Sequence, residues 1–502
     1  MTWIKSNRLL SIIILVCIGF FVYYIFNAVS WILYPNSIDY GEGFVMTYAK
    51  LWANGTWSWD INTPPYLTMV YGVGFPILAT PFVNMFGADL WVGRSLSFIS
   101  ALIVCGLLYL IVKELTGKKS YGLLATLLPA TQPIFRDWSV LARVDMPAVM
   151  FDMIGFYIVV RFKDSKWLYI AVIPFLCAMM IKLTAIAGLV AVIIYLLISE
   201  RRRLPLFLGL IIVGLGAMIY PLLVVSGGTY WKHIIVYQNT IQNIDIPVFM
   251  LVWRMFFFAF IPLFVASLLY LRRYIMISRI TLAGLLFIVA FVVNTVTTFR
   301  PGAAGMYYYE VILAGCICTA LTYYYFKTHK KLQITIVTSI LMVLLLAMYG
   351  VNTTMRLPEK QYSDDVNTVI GIISDTDSPV VTENPALVMS ANKDLYIETF
   401  IFANLARLGY WDETPYIEKY ESQYFDYVLL KISLEEKMIY EERGYPDSHF
   451  TAGALQAIKS NYTLVFSNKS NDPNEDWRCY FCLYEANDKF KNDDREIVRA
   501  IR

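Results

Sequence analysis

Residues Leu9–Trp31 read LLSIIILVCIGFFVYYIFNAVSW, and after six further residues the chain continues Ile38-Asp39-Tyr40-Gly41-Glu42-Gly43. A helix needs about 20 apolar residues to cross a hydrocarbon core. This run is long enough, and only Ser11, Asn27 and Ser30 interrupt it. It is too long for the apolar part of a signal peptide and lacks a small-residue cleavage site. With Lys5 and Arg8 before it, it reads as a retained first helix with a cytoplasmic N-terminus. The acidic, glycine-flanked segment that follows is then the first loop on the outer side.

The same reading extends along the chain. Apolar runs predict spans at 9–31, 91–112, 120–136, 146–161, 167–181, 183–199, 204–226, 247–270, 280–298, 303–326 and 332–350, about eleven in all. Met69–Phe86 is apolar but carries Gly72, Gly74, Pro76 and Pro81, which suits an interfacial or re-entrant segment. Alternating from a cytoplasmic N-terminus places seventeen Lys and Arg on the inner side and seven in the outer loops, as the positive-inside rule requires. Only 16% of the 502 residues are charged, against about 25% in soluble proteins. The acids are uneven: residues 1–350 hold 12 of 38 and residues 351–502 hold the other 26. The expected fold is an all-α polytopic membrane bundle, 1–350, with an extracytoplasmic soluble α/β domain, 351–502. In that domain Pro379–Val381 and Tyr427–Leu430 read as buried strands, Glu398–Leu408 and Thr414–Ser422 as helices, and 461–467 with 477–484 as edge or hairpin strands.

Several function classes are disfavoured. No basic run is paired with a soluble aromatic face, so nucleic acid is not an expected partner. The three histidines are scattered at 233, 329 and 449, which argues against a His-rich metal site or a Ser-His-Asp triad. No phosphate-binding glycine loop of the Walker type follows a strand. Cys479 and Cys482 form a lone C-x-x-C, short of the four ligands of a structural zinc site.

Ionisable residues at membrane depth need a reason, and most of the unusual ones fall on the outer side. Asp39 and Glu42 could take a proton from an acceptor hydroxyl, or cap a following helix at Phe44–Trp57. Gly41 and Gly43 allow close approach of a ligand to the backbone. Trp57, Trp59 and Tyr66 suit either the interface or sugar stacking. Arg143 opposes the positive-inside pattern and suits bidentate phosphate binding. Asp145, two residues on, could serve chemistry or simply open a helix. Arg94, Lys182 and Arg300 either snorkel to the interface or join Arg143 in a cradle for an anionic headgroup. Glu310, about two turns into its span, should face the interior and pair with Arg300 or Lys182. A divalent cation could be held by oxygens of Asp39, Glu42 and Asp145, although no spacing demands one.

At these residues the chain resembles the multi-span GT-C glycosyltransferases of the family 39-like type, which include protein O-mannosyltransferases and the aminoarabinose transferases of lipid A. The resemblance rests on Asp39-Tyr40-Gly41-Glu42-Gly43 after the first helix, Pro64-Pro65-Tyr66 leading to Gly93-Arg94, Arg143-Val144-Asp145, the lone Lys182, and Gly302 through Glu310. It implies inverting transfer of a sugar from a polyprenyl-phosphate donor to a glycan, lipid or protein acceptor at the outer face of the plasma membrane. It makes Asp39 the base, with Glu42 as helper or alternative, Asp145 the second acidic position, and Arg143, Lys182 and Arg300 holders of the donor phosphate. The chain departs from the family in having Asp-Tyr-Gly-Glu for adjacent Asp-Glu, and Arg-Val-Asp for Arg-Pro-Asp. The rival readings are a transporter or flippase of lipid-linked glycans, and a membrane-anchored sensor.

Overall fold

The computed structural model describes residues 2–240, 246–275, 281–300, 303–328, 360–442, 449–468 and 481–488. The first part is a helical bundle: α1 (Thr2–Leu33), α2 (Tyr40–Ala53), α3 (Gly74–Phe86), α4 (Leu90–Thr116), α5 (Lys119–Leu127), α6 (Pro133–Trp138), α7 (Asp145–Phe162), α8 (Val172–Ile181), α9 (Ala187–Ser199), α10 (Leu204–Val225), α11 (Ile246–Ile275), α12 (Leu282–Thr297) and α13 (Tyr309–Thr328). Among the described residues, five helices are long and apolar enough to span a membrane, and four further apolar helices are shorter. The run 332–350, Gly302, Cys479 and the charged C-terminus lie outside the described residues.

A helix that is apolar all round must be buried in protein or face lipid, and the bundle contains both kinds. Residues 308–323 of α13 and its lead-in are buried throughout, at the centre of the bundle. In α10, by contrast, Leu206, Leu210, Ile212, Val213, Tyr220, Val224 and Val225 are exposed and only Phe207 and Ile211 are buried. A continuous apolar exterior of this kind is what a lipid solvent selects, and the chain is a multi-pass membrane protein.

Three expected spans are not simple helices. Residues 120–136 break into α5, a 3-10 turn at Leu128–Thr131 and α6, because Pro129 and Pro133 each remove a backbone donor. Residues 167–181 begin as a 3-10 turn before α8. A 3-10 turn at Gly305–Tyr308 precedes α13, so Glu310 is the second residue of that helix and not two turns inside it.

The C-terminal unit comprises α14 (Lys360–Ser374), β1 (Val380–Thr382), α15 (Pro385–Ser390), α16 (Thr399–Arg407), α17 (Thr414–Glu421), β2 (Tyr427–Leu430), α18 (Leu434–Glu442), α19 (Ala452–Asn461), β3 (Tyr462–Ser467) and β4 (Cys482–Ala486). The sheet order is β1-β2-β4-β3, with β1 and β2 parallel and the other pairs antiparallel. Strand side chains alternate between two faces: Tyr427 and Leu429 pack toward Val366, Val369 and Ile373 of α14, and Val428 and Leu430 toward Phe402, Tyr416 and Leu455. Of the segment expected as an edge or hairpin strand at 477–484, residues 477–480 lie outside the described residues; β4 pairs antiparallel with β3, but it is an inner strand and wholly buried.

This unit docks on the bundle through backbone as well as side chains. Tyr66 N–H donates to Tyr396 O at 2.8 Å and Glu398 N–H to Tyr66 O at 2.9 Å, a short parallel bridge. Ser37 Oγ donates to Asn384 Oδ1 at 3.1 Å. A Cβ on Gly43 would lie 2.3 Å from Ala386 N, so this glycine admits the α15 backbone rather than a ligand. Gly43→Ala should therefore lower the melting temperature of the purified protein by an amount equivalent to about 1–3 kcal/mol. Gly106→Ala, where a Cβ would meet nothing within 4 Å, should leave it unchanged or slightly raised.

Candidate active site

The first outer-loop motif is organised by a buried ion pair. Asp39 caps α2 in extended conformation (φ −128°, ψ 138°), and its carboxylate with that of Glu42 completes a capping box. Glu42 also accepts from Ile38 N at 2.8 Å and Ala142 N at 3.0 Å. Arg94 Nε and Nη2 donate to its two oxygens at 2.8 Å each. The remaining guanidinium donors go to the carbonyls of Trp31 (2.8 Å), Tyr34 (2.5 Å) and Asn36 (2.8 Å). A guanidinium has five N–H donors, and all five are used. Both side chains are fully buried. Arg94 thus has no donor free for a phosphate and Glu42 no surface for an acceptor. Both expected roles give way to a structural one: the pair ties α1, the loop before α2, α2, α4 and the loop before α7 together.

Asp39, Arg143, Asp145 and Lys182 form a row of alternating charge. Arg143 Nη1 donates to Asp39 Oδ1 at 2.5 Å. Arg143 Nε lies 3.8 Å from Asp145 Oδ2, and Lys182 Nζ donates to Asp145 Oδ1. Lys182 Nζ also sits 4.0 Å above the Tyr307 ring, a cation–π contact. A Cβ on Gly41 would overlap Arg143 Nη1 at 1.6 Å, so this glycine makes room for the guanidinium. Arg143 Nε and Asp145 Oδ2 are buried yet have no hydrogen-bond partner, which leaves capacity for a ligand. The three carboxylates proposed for a divalent cation are not assembled as a set: Glu42 is held by Arg94, Asp39 by Arg143 and Asp145 by Lys182.

An open cleft of about 780 Å³ is lined by Tyr40, Gly41, Tyr71, Arg143, Arg300 and Tyr307 from the bundle and by Glu398, Phe400 and Ile401 from the C-terminal unit. A second, of about 290 Å³, is lined by Asp145, Lys182, Asn294, Tyr307 and Glu310. Tyr307 borders both. Arg300 is exposed on the rim, where its guanidinium donates to Asn239 Oδ1 at 3.2 Å. Glu310 does not pair with Arg300 or Lys182. It accepts from Ala187 N at 3.0 Å and Asn294 Nδ2 at 2.9 Å. The N-terminus of α9 takes the place of the expected cation, since a helix start offers unpaired N–H groups and a favourable dipole. Asp152, which the sequence reading passed over, accepts from the next two amides, Gly188 N (2.8 Å) and Leu189 N (3.2 Å).

The C-terminal unit brings its own buried charges. Lys437 donates to Glu383, and His449 Nδ1 lies 3.1 Å from Thr399 Oγ1. The His449 ring packs edge-on to Tyr40 at 5.8 Å, and Lys431 Nζ lies 4.5 Å over the Tyr40 ring. Burial opposes ionisation of Glu383, but the Lys437 ammonium beside it outweighs this and holds the carboxyl at about 2. Burial pushes His449 down to about 3, so it is neutral at pH 7.

Residues 72–231 match the sequence model of a family described as dolichyl-phosphate-mannose-protein mannosyltransferase, a stretch that holds Arg94, Arg143, Asp145 and Lys182. The matched stretch, about a third of the chain, is similar to membrane glycosyltransferases of the GT-C superfamily. Solved GT-C structures share its fold. ArnT from Cupriavidus metallidurans, bound to undecaprenyl phosphate, aligns over 93% of this chain and 98% of its own at 12% identity, with a TM-score of 0.52. The Archaeoglobus fulgidus oligosaccharyltransferase in its apo form aligns over 92% and 74% at 13% identity, with a TM-score of 0.55. The same organism's AglB, with an inhibitory peptide and a dolichol-phosphate, aligns over 92% and 72% at 13% identity, with a TM-score of 0.54. No curated protein sequence matches the chain.

Two outcomes check these assignments. Arg94→Met should destabilise the helical bundle by about 3–5 kcal/mol, because it strands a buried carboxylate, whereas Arg300→Ala on the rim should cost little; thermal unfolding of both variants in detergent compares them. The second concerns pH. Unfolded Glu383 and His449 bind protons more readily than folded ones, so both lose stability on acidification, His449 from about pH 6.5 and Glu383 from about pH 4.5. Glu398 is shifted upward and gains stability on acidification down to about pH 4.5. The melting temperature should therefore fall most steeply below pH 4.5. Glu383→Gln should start lower at pH 7 and lose less between pH 4.5 and 3.

Proposed function

We propose that the protein transfers a sugar, with inversion, from a polyprenyl-phosphate donor to an acceptor hydroxyl on a glycan, lipid or protein at the outer face of the plasma membrane. The N-terminus is then cytoplasmic, and residues 351–502 form an extracytoplasmic domain over the site. The observation that carries this reading is the contact of Asp39 with Arg143 at the edge of the larger cleft, with Arg143 Nε still unpartnered. Polyprenyl phosphates accompany two of the fold's relatives, ArnT with undecaprenyl phosphate and AglB with a dolichol-phosphate. That supports this donor class.

The chemistry follows from charge exchange along the row. A donor phosphate entering beside Arg143 and Lys182 competes with Asp39 and Asp145 for these cations. Arg143 suits a phosphate through its planar fork, and Arg300 on the rim adds a third positive charge. Asp39, released from Arg143, becomes free to accept a proton. The acceptor oxygen attacks the anomeric carbon opposite the phosphate, the bond from that carbon to the phosphate oxygen breaks with its electron pair going to the phosphate, and the acceptor proton passes to Asp39. Arg143 and Lys182 stabilise the charge that develops on the leaving phosphate.

The test is release of polyprenyl phosphate from polyprenyl-phosphate mannose and polyprenyl-phosphate glucose, with a membrane extract as acceptor source. Asn caps a helix as well as Asp does, so Asp39→Asn removes the base and keeps the cap. Turnover should fall by roughly 10²–10⁴-fold with the protein still folded, the melting temperature dropping less than in Arg94→Met because the asparagine cap and the Asp145 charge near Arg143 remain, and Lys182→Met should also slow release. Unchanged turnover in Asp39→Asn would leave that residue a cap alone. Labelled lipid crossing proteoliposomes without donor consumption would replace the transferase with a flippase.

A further inference from the structure

The larger cleft carries buried polar groups besides Arg143 that the transfer chemistry does not use. Glu398, from the C-terminal unit, lines it and is 4% exposed. Its Oε1 accepts from Ile401 N at 3.4 Å, which caps α16. Its Oε2 has no hydrogen-bond partner; the Thr68 hydroxyl approaches without completing a bond of good geometry. Tyr48, from α2, lines the same cleft, is 2% exposed, and its hydroxyl is also unpartnered. Buried polar atoms without partners are rare in folded proteins, and two of them share one cavity wall. Around them stand the rings of Tyr40, Phe44 and Phe400.

We infer that Glu398 and Tyr48 form a hydroxyl-recognition subsite for a sugar ring, built jointly by the bundle and the C-terminal unit. A ring of hydroxyls supplies partners for both orphaned oxygens, and its C–H faces suit the aromatic wall. Burial pushes the Glu398 carboxyl well above the usual carboxylate range, which favours the protonated form that can donate as well as accept. The inference rests on the sugar-transfer reading and deepens it: the C-terminal unit takes part in sugar selection. Glu398 and Tyr48 are specificity residues, separate from the proton transfer assigned to Asp39. The ring they hold belongs either to the donor sugar or to the acceptor.

The test measures binding and turnover separately, on the full-length protein in nanodiscs. Tryptophan fluorescence titrations compare polyprenyl-phosphate mannose, polyprenyl-phosphate glucose and sugar-free polyprenyl phosphate, with methyl mannoside and methyl glucoside as acceptor-like probes. Wild type should bind at least one sugar-bearing probe. Tyr48→Phe and Glu398→Leu should each weaken that binding by roughly three- to tenfold, with sugar-free polyprenyl phosphate unaffected. Glu398→Gln, which restores a neutral donor and acceptor, should recover most of the loss. A defect confined to the lipid-linked sugars assigns the subsite to the donor, and one confined to the methyl glycosides assigns it to the acceptor. Tyr48→Phe removes only an unpartnered hydroxyl, so it should fold normally even if Glu398→Leu suffers from the lost cap. Equal sugar binding by wild type, Tyr48→Phe and Glu398→Leu overturns the subsite, as does a wild type that binds no sugar. If sugar binding shows the expected pattern but no polyprenyl phosphate is released from any donor, the subsite stands and the transferase reading fails.

Discussion

One guanidinium organises the end of this bundle that carries the candidate site. Arg94 sends its five donors to Glu42 and to three carbonyls around the turn between α1 and α2. A charge buried without such partners would be prohibitively costly; here both ions are paired and all five guanidinium donors are used. The result fixes the start of α2 against α4 and, through the Ala142 amide, the loop that carries Arg143. Asp39 and Arg143 can meet at one point because the segments bearing them are pinned to the same buried carboxylate. A membrane bundle offers little hydrophobic specificity between helices, so a directional, fully satisfied polar contact is an effective way to set their register.

On this frame the charges divide by accessibility. Glu42 and Arg94 are sealed, and Glu310 and Asp152 are spent on the amides that open α9. Asp39, Arg143 and Lys182 keep some exposure, and the last two border the clefts. The C-terminal unit then roofs the larger cleft with Glu398, Phe400 and Ile401 while its own core closes around the Glu383–Lys437 pair. Docking this unit requires Gly43, and seating Arg143 requires Gly41. The two glycines of the first motif therefore serve backbone and side-chain packing within the protein.

Much of this was legible from residue order. Unbroken apolar runs announced the long helices, because in lipid only such runs can cross. The two buried strands at 380–382 and 427–430 and the helices at 399–407 and 414–421 stood out by period and by flanking turns. The sequence also marked Asp39, Arg143, Asp145 and Lys182 as anomalous for their depth, and the fold brings these four together. It could not separate a binding arginine from a structural one: Arg94 and Arg143 look alike in the chain, and only the positions of Glu42 and the Trp31, Tyr34 and Asn36 carbonyls, 52 to 63 residues away, distinguish them. Glu310 was assigned a cation because a helix start is not visible as a charge. Glu398 and Tyr48 carried no local signal at all, since their common cleft exists only once the C-terminal unit is seated.

The account centres on Arg143 and Lys182 as the phosphate site and on Asp39 as the group their engagement releases. A structure of the full-length protein in nanodiscs with polyprenyl phosphate tests this most directly. The account predicts phosphate oxygens within hydrogen-bond reach of Arg143 and Lys182, the Asp39 carboxylate turned from Arg143 into the cleft, and Arg94 unmoved against Glu42. A phosphate seated away from both cations, or one held by Arg94 with Glu42 set free, would contradict it.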